Sequence, residues 1–182
     1  MGSDNQRFPS TLNPASYKEF ELVVRRFKEE HMTMGNRVSG LLTRANQVEI
    51  NEDLIAGLSL LQVIREDVKM LMKDLERHER WEEQNVFPIL SKYYEHQKRP
   101  SIIPSISVLE KEHDHVKQCF QTFLNLAEEI LVHTPLTDSR IPGKLRLCIV
   151  YLYQGGSSLR EHFELEEGLI YPLVEEILAD LN

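Results

Sequence analysis

The chain is poor in the residues that break helices. Glycine and proline number 8 each in 182 residues, too few for the dense turns of an all-β domain. Cysteine occurs only twice, as Cys119 and Cys148, with no CxxC pattern. That excludes a disulfide framework and a thiolate metal cluster, and both cysteines are expected to be reduced core residues. No long hydrophobic run is present: the longest, Leu147–Tyr153, is far too short to span a bilayer. Positive charge is also in deficit, with a net charge of -8, so neither nucleic acid nor an anionic membrane surface is an expected partner. Met1–Phe8 is polar and lacks the apolar stretch of a signal peptide, which points to a cytoplasmic protein.

What is present suits one domain of amphipathic helices. The charged fraction is 27% against an apolar fraction of 41%. Four long segments carry helical periodicity. The first opens at Asn13-Pro14, where proline's missing N–H costs nothing, and runs to about Asn46. After a polar break at Gln47–Asp53, the second places Ile55, Leu58, Leu61, Val68, Leu71 and Leu75 on one face and continues to about Glu95. His96–Ser101 separates it from a third helix over roughly Ile106–Val132. His133–Ser139 precedes a fourth that begins near Pro142 and ends near Leu181. Long helices joined by short connections predict an all-α, up-down-up-down four-helix bundle. The expected domain covers residues 13–182, with residues 1–12 as a mobile tail.

One motif occurs twice with identical spacing. His78-x-x-x-Glu82-Glu83 followed by Phe87-Pro88 matches His162-x-x-x-Glu166-Glu167 followed by Tyr171-Pro172. Upstream of each stands a second pair, Glu30-His31 and Glu112-His113. The chain thus reads as two pseudo-repeated helical hairpins. Positions i and i+4 of an α-helix differ by about 40° and rise about 6 Å, so each HxxxE offers an imidazole and a carboxylate to one point. In an antiparallel pair, residues at equal height straddle the turn symmetrically. The midpoints of His31 and His78, of His78 and His113, and of His113 and His162 all fall at or inside the expected breaks. Four histidines therefore share a level, about 26 Å inside the bundle at 1.5 Å per residue.

Four imidazoles and two carboxylates in an apolar interior need partners, since an unpartnered buried polar group costs several kcal/mol. A pair of metal ions supplies them. The donor set His31, His78, Glu82, His113, His162 and Glu166 suits iron, zinc or manganese. Two carboxylates bridging two ions, with two histidines on each, leave positions for a bridging oxo or hydroxo group and a small ligand.

These motifs resemble the hemerythrin-like, or HHE cation-binding, family over residues 14–181. The resemblance implies a hemerythrin-like bundle with a non-haem di-iron centre, Glu82 and Glu166 as bridging ligands and the four histidines as terminal ones. In the oxygen-carrying members a further histidine stands four residues after the third-helix ligand, where this chain has Lys117. One of their bridging carboxylates is aspartate, whereas both here are glutamate. The four-His, two-Glu set is similar to that of the di-iron domain of bacterial iron–sulfur-centre repair proteins, which are linked to nitrosative and oxidative stress. The short cysteine motif that many of those carry is not among these 182 residues.

The expected function is to bind or react with dioxygen, peroxide or nitric oxide. The alternatives are iron donation or iron–sulfur-centre repair, and an interaction bundle with a vestigial metal site. His115 should face solvent, and His96 and His133 should lie at breaks. Glu83 and Glu167 are expected either beside the ligands or in solvent. Pro88 and Pro172 should bend their helices beyond the site. Gly155-Gly156 and Gly35 are read as close-packing positions.

Overall fold

The computed structural model describes residues 14–50 and 53–180. The expected tail at 1–12 lies outside these, as do Asn51 and Glu52 of the first break. Helix α1 is Pro14–Ile50, α2 Leu54–Asn85, α3 Phe87–His96, α4 Ile103–Glu128 and α5 Ile141–Asp180. A π-helical turn, Glu129–His133, extends α4, and Thr134 Oγ1 donates to the Glu129 carbonyl at 2.9 Å to satisfy its loosened end. Helices α2 and α3 form one interrupted rod, so four rods stand side by side. α1 packs against α2 and α5, and α4 against the same two, which closes the ring of the expected all-α bundle. No described helix is long and apolar enough to cross a membrane.

Local chemistry sets the ends. The Asp53 side chain accepts from the backbone N–H groups of Ile55 (2.9 Å) and Ala56 (3.4 Å), capping α2. That cap fixes the first break closer to Asp53 than periodicity suggests, and α1 continues four residues beyond Asn46 to Ile50. Helix α3 ends where Lys98 takes a left-handed φ of 53°. The N–H groups of Lys98 and Arg99 then bond back to the carbonyls of Glu95 and Tyr94, a Schellman closure.

The two prolines of the repeat behave differently. Periodicity predicts a second helix unbroken to Glu95, but the structure interrupts it at Val86. Pro88 has no N–H for the Gln84 carbonyl, and the chain restarts with Ile89 and Leu90 donating to Val86. Pro172 stays inside a continuous α5.

The core comes in two apolar blocks. One gathers Met34, Leu75, Val116, Leu159 and their neighbours, the other Phe27, Val86, Leu109 and Ile170. The sequence-predicted ligands lie where the two blocks meet: His31 between Phe27 and Met34, His113 between Leu109 and Val116, and Glu166 between Phe163 and Ile170. Gly155 and Gly156 let α5 approach its neighbours. A Cβ on Gly155 would sit 2.9 Å from the Phe120 ring, and one on Gly156 would sit 3.0 Å from Leu42. Gly35 has open space around it, so the close approach expected there is absent.

Candidate metal centre

Seven polar or charged side chains are buried among the described residues: His31, His78, Glu79, Glu82, His113, His162 and Glu166. Six of them are the residues singled out by the repeat. None of those six is more than 3% exposed.

They converge on one point. His31 Nε2 lies 3.0 Å from His78 Nε2 and 3.1 Å from Glu166 Oε2. His78 Nε2 is 3.0 Å from Glu82 Oε1, and His162 Nε2 is 3.2 Å from Glu166 Oε2. His113 Nε2 faces Glu82 Oε2 at 3.7 Å and Glu166 Oε1 at 4.0 Å. Glu82 thus presents one oxygen to the His31–His78 side and the other to the His113 side. Two groups of donor atoms each fall within 4.8 Å of one another: His31, His78, Glu82 and Glu166, and His113, His162 and Glu166.

The imidazoles are aimed from behind. His78 Nδ1 is 2.8 Å from Glu30 Oε2, and His31 Nδ1 is 3.2 Å from Glu167 Oε1. Arg26 Nε donates to Glu30 at 2.9 Å, and its guanidinium lies 4.4 Å from the centre of the Trp81 ring. The Glu30 carboxyl is held down at about 2, chiefly by its bond to His78 and against the effect of burial. A carboxylate behind each ring puts the proton on Nδ1 and turns the Nε2 lone pair inward. Phe27 and Phe163 flank the His31 ring, with centroids 4.1 and 4.2 Å away.

Two inward lone pairs 3.0 Å apart repel, and only a proton or a cation between them removes the conflict. Burial opposes charge on His78, but its bond to Glu30 and the adjacent Glu82 carboxylate prevail and lift its pKa to about 9. His31 is raised in the same way, by Glu166 and Glu82 against burial. His113 behaves oppositely: burial, reinforced by His162, pushes it down to about 3. Both oxygens of Glu82, both of Glu166, both ring nitrogens of His162 and Nε2 of His113 are buried without a hydrogen-bond partner. Protein donors do not satisfy this set, whereas a cation accepts lone pairs from the carboxylate oxygens and from one nitrogen of each of His113 and His162. The residues therefore fit bound metal.

The repeat is symmetric in these six residues and asymmetric in what surrounds them. Glu167 reaches His31, while its counterpart Glu83 is exposed. Glu30 reaches His78, while His162 Nδ1, the corresponding atom of the second hairpin, has no partner. Glu79 is a buried neighbour of the site that the repeat does not point to. It is 7% exposed and paired with Lys117 at 2.9 Å; its one signal in the sequence is that lysine, four residues after His113. Cys119 and Cys148 are buried and free, and His115 and His133 are exposed. His96 is the last residue of α3.

No curated protein and no solved structure gives a significant match to the chain. The family model described as the hemerythrin HHE cation binding domain matches residues 22–174. That span runs from α1 to α5 and includes every residue of the buried cluster, so the chain belongs to the hemerythrin HHE cation-binding family.

Proposed function

We propose that the chain holds two iron ions between Glu82 and Glu166 and uses them to bind or react with dioxygen, peroxide or nitric oxide. His31 and His78 serve one ion, His113 and His162 the other, and the two carboxylates bridge them. The observation that carries this reading is the set of inward-facing nitrogen and oxygen atoms buried without hydrogen-bond partners. Bound iron would supply redox chemistry and open coordination positions to a small ligand.

The chain's own residues set the conditions. Glu30 and Glu167 hold two imidazoles in the metal-binding tautomer. Phe27 and Phe163 keep water from the His31 side. Six donor residues at no more than 3% exposure favour a ligand of a few atoms, because a larger substrate would have to part the helices. A role in oxidative or nitrosative stress accords with that ligand class. Zinc and manganese suit the same donors, so metal preference is part of the test.

Anaerobic loading with ferrous iron, followed by separate exposure to dioxygen, hydrogen peroxide and nitric oxide, tests the proposal. Two irons per chain and a new near-ultraviolet or visible absorption with at least one of the three are expected. Stable binding of two irons with an unchanged spectrum in all three would contradict the small-molecule role.

A further inference from the structure

The two halves of the buried cluster are unequal. Mutually close donor atoms come from four residues on the His31–His78 side and from three on the His113–His162 side, where Glu82 Oε2 also faces His113 at 3.7 Å. The one remaining buried charged side chain among the described residues is Glu79, which pairs with Lys117, one turn after His113. On α2, Glu79 is about 100° round from His78 and Glu82 about 40° round in the same sense, which turns Glu79 toward α4. There it meets Lys117, one turn after His113: Lys117 Nζ donates to Glu79 Oε2 at 2.9 Å. The other oxygen, Glu79 Oε1, is buried without a hydrogen-bond partner. On its own helix Glu79 directly follows His78 and precedes Glu82 by about one turn, so it borders the donor set. A buried carboxylate with one oxygen tied to an ammonium and the other bare needs a partner for the bare oxygen, because burying it without one is costly.

We propose that Glu79 is a seventh ligand, binding through Oε1 the ion held by His113 and His162, with Lys117 fixing its other oxygen. The inference rests on the two-ion reading above. It also explains Lys117, which fills the space of a terminal histidine and holds in place the carboxylate that replaces it. The anionic ligand lowers the net positive charge of the loaded site.

Cobalt(II) titration of metal-free protein, in competition with a chromophoric chelator, tests this for wild type, Glu79→Gln, Glu79→Asp and Lys117→Gln. Melting temperatures of the four metal-free proteins check that all fold. Wild type should take up two ions. Glu79→Gln, and Glu79→Asp with its shortened reach and retained charge, should each weaken one of them about tenfold or more, the scale of losing a supporting group at a metal site, and leave the other unchanged. Lys117→Gln, which loosens that carboxylate without removing it, should weaken the same ion by clearly less than Glu79→Gln does. Wild-type affinities in either Glu79 variant would overturn the assignment. So would an equal loss in Lys117→Gln and Glu79→Gln, which would mark the pair as structural only. Wild type that binds no ion would overturn the two-ion reading itself, a result distinct from all of these.

Discussion

Glu30 shows what a single side chain contributes here. It does not point into the cluster, yet its carboxylate fixes the His78 ring through Nδ1 and is itself held by Arg26. Glu30→Gln should leave the metal-free fold intact and weaken metal binding about 10- to 100-fold, measured by chelator competition; unchanged affinity would show that the His78 ring needs no support. The six central residues are legible in the sequence because i,i+4 spacing and a repeated motif are properties of a helix. Glu30, Glu167 and Glu79 are not assignable in that way. Each depends on which neighbouring helix lies across from it, and the repeat misleads, since Glu83 matches Glu167 in sequence and faces solvent instead. Lys117 is visible as a departure from the family pattern, but only the packing of α2 against α4 reveals its partner.

At the scale of helices, close packing around α5 carries a clear cost. Any side chain at Gly155 meets the edge of Phe120, which is fully buried, and the Cβ of Cys119 at 3.3 Å. Gly156 meets chiefly the end of Leu42, a flexible and only partly buried side chain, and beyond it the buried Val38 Cγ1 at 3.3 Å. Gly155→Ala should therefore lower stability by about 1–3 kcal/mol. Gly156→Ala should lose much less, because the better helix propensity of alanine, up to about 1 kcal/mol, offsets a movable contact. Urea unfolding of both variants checks the order, and equal midpoints would contradict it. Sequence alone marks this pair as a close-packing position, and marks Gly35 for the same reason; only the first has anything to pack against. The helix ends show a similar division. Periodicity locates four rods, while their exact ends follow from local bonds such as the Asp53 cap and the Lys98 closure. The break at Val86 and the continuity through Pro172 arise from matching motifs, so the motif alone does not distinguish them.

For the whole molecule, one polar layer is clamped between two apolar blocks. Each rod passes from one block to the other through its share of histidine and glutamate, and burial of the blocks sets the height at which those side chains meet. That height is legible from the midpoints of the histidine pairs, because short connections between antiparallel helices leave little freedom in register. The outer faces add Arg37–Asp74 at 2.5 Å and Arg44–Asp67 between α1 and α2, and Arg65–Glu128 between α2 and α4. Such half-buried pairs at the surface contribute on the order of 1 kcal/mol each, so packing of the two blocks dominates the fold. A cation at the centre should add to it, since a ligand that binds only the folded state stabilises that state by mass action.

Whether this polar layer surrounds two metal ions is decided by anomalous diffraction at the iron edge, from crystals of protein loaded anaerobically with ferrous iron. Two peaks are expected between Glu82 and Glu166, one beside His31 and His78 and the other beside His113 and His162. Iron found only on the surface, with the six side chains closed on one another as before, would contradict a two-metal centre.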